Sequence, residues 1–349
     1  MAEFKAKLIG IPVGKRLVLL HEEDAKRNGM LSHDRVRIDY KKQTATAFVE
    51  TTDKYLQRGE IGIFKELQDE FEAEDGALVS VALTKVPESV EYIRRKMEGQ
   101  PFTKDQIYSV IQDVVNQNLS ELEIAAFLME EKFQGMSMDE IEYLTQAMVD
   151  TGNTIDFERP CYDKHSIGGV PGNKVTLLVV PIVAAAGLLI PKTSSRAITS
   201  PSGTADTMEV LADVEFTADE LKEMVLKAGG AIVWGGKLGI APADDILIRA
   251  EHPLSIDPHG QMLASIMAKK LAVGADSIVI DIPVGPGAKV ETLEEARKLA
   301  HDFVNLGDRF KARVQCGITY GGQPVGHTVG PALEAREALL ALQGQGPAS

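Results

Sequence analysis

From Lys164 to Ala205 the chain carries no Asp or Glu, although its 349 residues include 51 acidic and 37 basic side chains. The average density would place about six acids in such a stretch. The same window holds Lys164, Lys174, Lys192 and Arg196, with many Ser, Thr and Gly residues. Cations, hydroxyls, and glycines that let backbone N–H groups approach oxygens closely are what an anion site requires.

Two motifs lie inside this window. KHSIGGVPGNKVT, from Lys164 to Thr176, sets a Lys, a His and a Ser before a Gly-Gly turn that opens into an apolar helical stretch. The helix N-terminus would add roughly half a positive charge toward a bound anion. It is not a Walker A loop, because the GxxxxGK[ST] spacing is absent. On residue types alone, an ordinary strand-to-helix connection reads the same way. SSRAITSPSGTAD, from Ser194 to Asp206, carries six hydroxyl residues and one Arg, a set suited to phosphate oxygens and also found in solvated loops.

The elements that must hold these loops follow from periodicity. Up to about Pro87 the runs AKLIGI, RLVLL, DRVRIDY, TATAFVETT and LVSVALT alternate and are broken by turn signals such as RNGM and EDGA, the pattern of a small β barrel. From Glu88 to about Phe157 the period changes to 3.6, with Thr103, Ser120 and Ser137 as N-caps and Gly99, Gly135 and Gly152 near the ends. From about Asp163 apolar strands (AIVWGG, SIVIDI) alternate with helical runs (TADELKEMVLKAG, LASIMAKKLAVG, TLEEARKLAHDFVNLG), which argues for a mostly parallel α/β sheet. The expected fold is therefore α/β with a small all-α subdomain and an N-terminal β-barrel-like domain. The expected divisions are 1–87, 88–160 with part of 245–273 packing on it, and 161–349.

Composition excludes other classes. A net charge of −14 argues against a general nucleic-acid binder. The longest apolar run, Val175 to Pro191, is interrupted by Pro181 and Gly187, too short to span a bilayer, and reads as a buried helix. The first residues lack the apolar core of a secretory signal, and Cys161 and Cys316 stand far apart in no metal-ligand spacing. Two buried, reduced thiols in a cytoplasmic protein without metal is the expectation.

The ordered series KHSIGGV, SSRAITSPSGTADTMEVL, IAPADDIL and SIMAKKLAVGADSIVIDIPVGPGAKV resembles the thymidine and pyrimidine-nucleoside phosphorylase superfamily, with details most like its archaeal branch, the AMP phosphorylases. The resemblance runs from about Val90 to Leu342, and the N-terminal β segment also suits that branch. It implies a class II-like nucleoside phosphorylase fold and no cofactor. The implied reaction is phosphorolysis of AMP, CMP or UMP: phosphate attacks C1′, releasing the base and ribose 1,5-bisphosphate. The implied partners are these small molecules and at least one further copy of the chain, with no nucleic acid and no membrane. Family members continue beyond this length, so the chain reads as C-terminally short.

The resemblance also implies roles. Lys164, Ser166, Gly168, Gly169 and Thr176 match the phosphate turn, here one residue longer through Pro171. Ser194, Ser195, Arg196, Ala197, Ile198, Thr199, Ser200 and Thr204 match the second phosphate-side loop. Asp257 matches the proton donor to the base, although an Asp before Pro258 also suits a plain turn. Ser265 and Lys269, four apart on one helical face, match a substrate-contacting pair, and Lys289 matches an AMP-contacting Lys. Lys270 is expected in solvent, His252 and His259 on exposed loops, and His165 either lining the site or packing the turn. Where the nucleoside branch has an Arg for the pyrimidine carbonyl, Glu251 stands in the slot and Arg249 two positions away. This favours a nucleotide substrate over thymidine. A nucleoside phosphorylase, an anthranilate-type phosphoribosyltransferase and a non-catalytic nucleotide-binding assembly module are the alternatives. The phosphoribosyltransferase would need an acidic metal-binding pair beside the phosphate loop, where the window has no acid.

Overall fold

The computed structural model describes residues 1–172, 174–196 and 202–347. They form two compact units, one of residues 1–98 with 112–127, the other of residues 99–111 with those from 128 onward.

The first unit opens with β1 (Ala2–Ile9), β2 (Leu17–His21), α1 (Glu22–Arg27), β3 (Arg35–Tyr40), β4 (Gln43–Thr52), β5 (Glu60–Phe64), α2 (Lys65–Phe71) and β6 (Leu78–Leu83). The six strands close into a barrel in the order β1-β5-β2-β4-β3-β6. Pairs β1–β5 and β2–β4 are parallel and the others antiparallel. Alternate side chains make the filling: Val18 and Leu20, Val36 and Ile38, Ala47 and Val49, Ile61 and Ile63, Val79 and Val81 are all buried in one cluster. All the alternating runs become strands. β5, short and broken by Gly62, is the strand that the alternation did not announce.

The helices α3 (Glu88–Met97), α4 (Lys104–Val115), α5 (Glu121–Gln134) and α6 (Met138–Asp150) follow. The three expected caps form: Thr103 Oγ1 accepts from Gln106 N (3.4 Å), Ser120 Oγ from Glu123 N and Ser137 Oγ from Glu140 N (3.3 Å each). At Ser137 the Glu140 carboxylate returns the bond to complete a capping box.

The second unit continues with β7 (Tyr162–Ser166), α7 (Val175–Ala185), β8 (Ile190–Ser194), α8 (Thr204–Glu209), α9 (Ala218–Ala228), β9 (Gly230–Trp234), α10 (Pro242–Leu254), α11 (His259–Ala272), β10 (Ser277–Val284), α12 (Leu293–Arg309), β11 (Arg313–Tyr320) and α13 (Pro331–Leu342). The strands β11-β10-β7 and β8-β9 are parallel, and a single parallel bridge between Cys161 and Leu189 joins the two sheets. Ile278, Ile280 and Ile282 of β10 pack with Leu299, Phe303 and Leu306 of α12, whose start is fixed by a Thr292–Glu295 capping box. α11 packs on α6 through a nearly continuous buried face that includes Leu263, Ala264 and Met267.

One expectation is overturned here. The apolar run from Val175 is helical only to Ala185, and of that helix Thr176, Leu177 and Val180 are buried while Ile182 is 59% exposed. A segment apolar all round has no stripe to choose a buried face. The open side of α7 borders an apolar groove of about 500 Å³ lined by Leu177, Val180, Ala184, Met208, Ile232 and Ala338. Among the described residues, no helix is long and apolar enough to cross a membrane.

Candidate active site

The two loops singled out by composition, and the Lys289 loop implied by the resemblance, each leave the carboxyl end of a parallel strand, where open α/β sheets bind ligands. β7 ends at Ser166 and runs into the Gly-Gly turn. β8 ends at Ser194 and runs into the hydroxyl-rich loop. β10 ends at Val284 and runs into the segment that carries Lys289.

The β7 register sets Lys164 beside Val279 and Ser166 beside Asp281. Ser166 Oγ donates to Asp281 Oδ2 at 2.8 Å, and Thr319 Oγ1 donates to the other oxygen at 2.6 Å. Gly168 has φ 112°, a left-handed backbone that a side chain would strain. Its carbonyl accepts from Lys289 N at 3.4 Å, so the two loops touch. A Cβ on Gly169 would lie 3.1 Å from Gly321 O and 3.3 Å from Pro283 Cβ, a tight approach that a side chain meets only if its neighbours give by a few tenths of an ångström. Thr176 is buried in the first turn of α7.

The second loop is arranged differently. Ser194 closes β8 with its Oγ buried and, among the described residues, without a hydrogen-bond partner, as is Thr193 Oγ1 beside it. Ser195 accepts Ala205 N through its carbonyl at 3.3 Å, and Thr204 opens α8. The Arg196 guanidinium forks onto Glu209 (2.6 and 2.8 Å) and also reaches Glu215 (3.0 Å) and Asp206 (3.4 Å), with its carbon 5.0 Å from the Trp234 ring centroid. Ala197, Ile198, Thr199 and Ser200 lie outside the described residues.

Ser265 and Lys269 share a face of α11, and Lys269 Nζ pairs with the fully buried Asp244 at 2.5 Å. Burial would lower the Lys269 ammonium, but Asp244 more than offsets this and its pKa is raised. Lys289 pairs with Asp257, each about two-fifths exposed. His252 and His259 are exposed as expected but lie in helices, not loops, His252 in the last turn of α10 and His259 at the start of α11, where it bonds Asp302 at 2.8 Å.

Lys270 overturns its expectation of solvent. It is 1% exposed and pairs with buried Asp163 at 2.7 Å. One position beyond Lys269 turns a side chain about 100° round the helix, here from the side that meets Asp244 toward Asp163 of β7. Around Asp163 the chain gathers Lys270, Lys192 and Lys164, with His165 beside them. Burial holds Lys192 well below the usual ammonium range, and Lys270 and Lys164 repel it further. Burial also lowers Lys164, against the pull of Asp281 and Asp163. His165 is held well below the imidazole range, first by desolvation and then by these ammonium groups.

The acid-free window is thus not acid-free in space. Lys174 is fastened to Glu337 of α13 at 2.6 Å, and Arg196 to its three carboxylates. Of the four cations, Lys164 and Lys192 make no carboxylate ion pair among the described residues. Asp163, Asp244 and Asp281 carry no type or spacing signal by themselves; only the fold brings them to the lysines. Among the described residues, no group of three or more His, Cys, Asp or Glu is arranged to hold a metal ion.

Residues 90–152 match the helical bundle domain of a glycosyl transferase family, and residues 158–348 match its α/β domain. The chain belongs to this family. It is 53% identical over 348 residues to AMP phosphorylase 1 of Archaeoglobus fulgidus, covering 99% of this chain and 69% of that protein. Similar matches are the AMP phosphorylases of Methanococcoides burtonii, 53% over 349 residues, and Thermococcus kodakarensis, 52% over 347 residues, with the same coverage. Anthranilate phosphoribosyltransferase from Thermus thermophilus superposes with a TM-score of 0.60 at 20% identity, over 73% of this chain and 83% of that one, a likeness of fold alone.

Proposed function

We propose that the chain catalyses phosphorolysis of nucleoside 5′-monophosphates, converting AMP and phosphate to adenine and ribose 1,5-bisphosphate, with CMP and UMP as further substrates. The observation that carries this reading is identity above 50% to AMP phosphorylases along 99% of the chain. The geometry supports it by setting the Gly-Gly turn, the hydroxyl-rich loop and the Lys289 loop at neighbouring strand ends.

In this reading Lys164, Ser166 and the Gly168–Gly169 turn hold the attacking phosphate, with Thr176 behind them. Ser194, Ser195, Arg196, Thr204 and the intervening residues hold the second phosphate side, while Ser265, Lys269 and Lys289 position the nucleotide. A phosphate oxygen attacks C1′, the bond from C1′ to the base nitrogen breaks, and the electron pair leaves with the base. C1′ is oxocarbenium-like at the transition state, so rate comes from holding the anion beneath it and from a proton delivered to the base through Asp257. Lys289 is released from Asp257 when it takes up the nucleotide phosphate, an inexpensive exchange for a half-exposed pair. A cytoplasmic homo-oligomer completes the reading.

Phosphorolysis of AMP, CMP, UMP, adenosine and thymidine by the purified chain tests it. AMP should be cleaved to ribose 1,5-bisphosphate, and Lys164→Ala should abolish turnover. Cleavage of thymidine with AMP ignored, or unchanged turnover in the Lys164 variant, overturns it.

A further inference from the structure

Lys192 has no task in the steps above, yet it is a buried ammonium group with no carboxylate of its own. It is 5% exposed and makes no ion pair among the described residues. Its Nζ donates to the carbonyl of Thr193, the next residue, so the side chain runs forward toward the carboxyl end of β8. Asp163, the carboxylate whose charge reaches it, is held by Lys270 at 2.7 Å.

The two neighbouring strands explain where this ammonium stands. The parallel bridge between Cys161 and Leu189, with Tyr162 N donating to Leu189 O at 2.8 Å, sets β7 and β8 level. Three positions beyond the bridge stand Lys164 in one strand and Lys192 in the other, and five positions beyond it stand Ser166 and Ser194. Both strands therefore end in Lys-x-Ser at the same height. Adjacent strands lie about 4.8 Å apart, a span that a single phosphate bridges. The outer neighbours differ. On β10, Asp281 lies beside Ser166 and accepts its hydroxyl at 2.8 Å. On β9 the residues beside Lys192 and Ser194 are Ile232 and Trp234, which bring no carboxylate, and Ser194 Oγ is buried with no hydrogen-bond partner. The end of β8 thus combines an ammonium without counter-charge and an unanswered hydroxyl two positions apart on one face of the strand.

We propose that Lys192 is a second ammonium ligand of the attacking phosphate, which sits between the ends of β7 and β8 with Lys164 on one side and Lys192 on the other. Ser194 Oγ reaches the same anion from the second loop. Lys164, Lys192 and Lys270 here share the charges of Asp163 and Asp281, so a phosphate dianion supplies negative charge that the fold leaves short. Desolvation disfavours the Lys192 ammonium, and an anion beside it restores the charged form. A side chain sealed from water in this way discriminates by charge, whereas an exposed lysine is screened.

The assignment to the attacking anion rests on the phosphorylase reading, and the experiment separates the two. KM for phosphate, KM for AMP and kcat are measured for wild type, Lys192→Met and Lys192→Gln, and the Tm of each is followed as inorganic phosphate is added without nucleotide. Met fills the place of the stem without a charge, and Gln can still donate to Thr193 O, so a loss common to both reports the charge rather than the tether. Both variants should keep the wild-type circular dichroism spectrum. KM for phosphate should rise about ten- to a hundredfold, with KM for AMP within about threefold. Phosphate should raise the Tm of wild type and scarcely that of either variant. An unchanged KM for phosphate, or an equal rise in Tm in all three proteins, overturns the inference alone. So does a wild-type Tm that phosphate leaves unmoved. A rise confined to KM for AMP overturns the assignment to the attacking anion. A wild type that phosphate stabilises through Lys192 but that cleaves no nucleotide overturns the phosphorylase reading and leaves the anion seat standing.

Discussion

The buried pair between Lys174 and Glu337 gives a test that needs no substrate. Lys174 is 2% exposed and Glu337 8% exposed, with Nζ to Oε2 at 2.6 Å. The carboxylate also accepts from His327 N at 3.0 Å, Thr328 N at 3.2 Å and Thr328 Oγ1 at 2.7 Å. The ammonium donates besides to the carbonyls of Val325 and Thr328. Removing one partner leaves an uncompensated buried charge, which costs about 3–5 kcal/mol. Lys174→Met and Glu337→Gln should each lose about that much in urea unfolding. The double variant should cost at least about 2 kcal/mol less than the sum, because the second change removes the stranded charge. Burial alone would raise the Glu337 carboxyl, yet Lys174, Thr328 and the His327 amide pull it down to about 2. A depressed carboxyl stabilises fully above its ordinary value of 4.5 and loses that contribution as pH falls through about 2. The difference between wild type and Lys174→Met should be flat from pH 8 to 5 and shrink toward about pH 2. Single variants costing under about 1 kcal/mol, or costs that simply add, would refute the reasoning.

Two further outcomes follow from local geometry. Gly169→Ala places a Cβ 3.1 Å from Gly321 O and 3.3 Å from Pro283 Cβ, so the packed turn has to give by a few tenths of an ångström to accept it. KM for phosphate should rise about tenfold in steady-state assays, and an unchanged value would show that this turn does not hold phosphate. Glu251, raised by burial from 4.5 to about 8, makes the folded state lose stability as pH rises through that interval, whereas Gln cannot ionise. The gain of Glu251→Gln over wild type in urea unfolding should therefore grow between pH 5 and 8, by about 3–4 kcal/mol. Parallel curves for the two proteins would contradict a buried, proton-bearing Glu251.

What the sequence made legible is what local rules determine. Alternation reveals barrel strands because every second side chain faces one core, and Ser137 announces α6 because the cap and its Glu140 partner are three residues apart. Anion chemistry is legible through Gly, Ser and Lys types clustered along the chain. Charge partners are not, since Lys174 and Glu337 are separated by 163 positions. Lys270 illustrates the limit: next to Lys269 it reads as one more solvated ammonium. Only the packing of α11 against the sheet turns it toward Asp163. The partial burial of α7 is illegible for the converse reason, because hydropathy reports a preference for apolar surroundings and not what the fold supplies on each side.

That distinction changes how anion binding is understood. A stretch without acid suggests a standing positive field that draws phosphate in. In the folded chain, however, Arg196, Lys269 and Lys289 each hold a carboxylate. Among the described residues of the acid-free window, only Lys164 and Lys192 stand without one, buried and with their charged forms disfavoured. Binding of two phosphates is then an exchange, in which an exposed ammonium passes from carboxylate to phosphate and the buried lysines gain the counter-charge they lack. An exchange of this kind releases carboxylates at the moment the base must leave. In the proposed reaction Asp257, freed from Lys289, is one of them. Anion binding and proton delivery are in this way coupled through a single lysine, and the acids that a composition count sets against anion binding are the groups that connect it to bond cleavage.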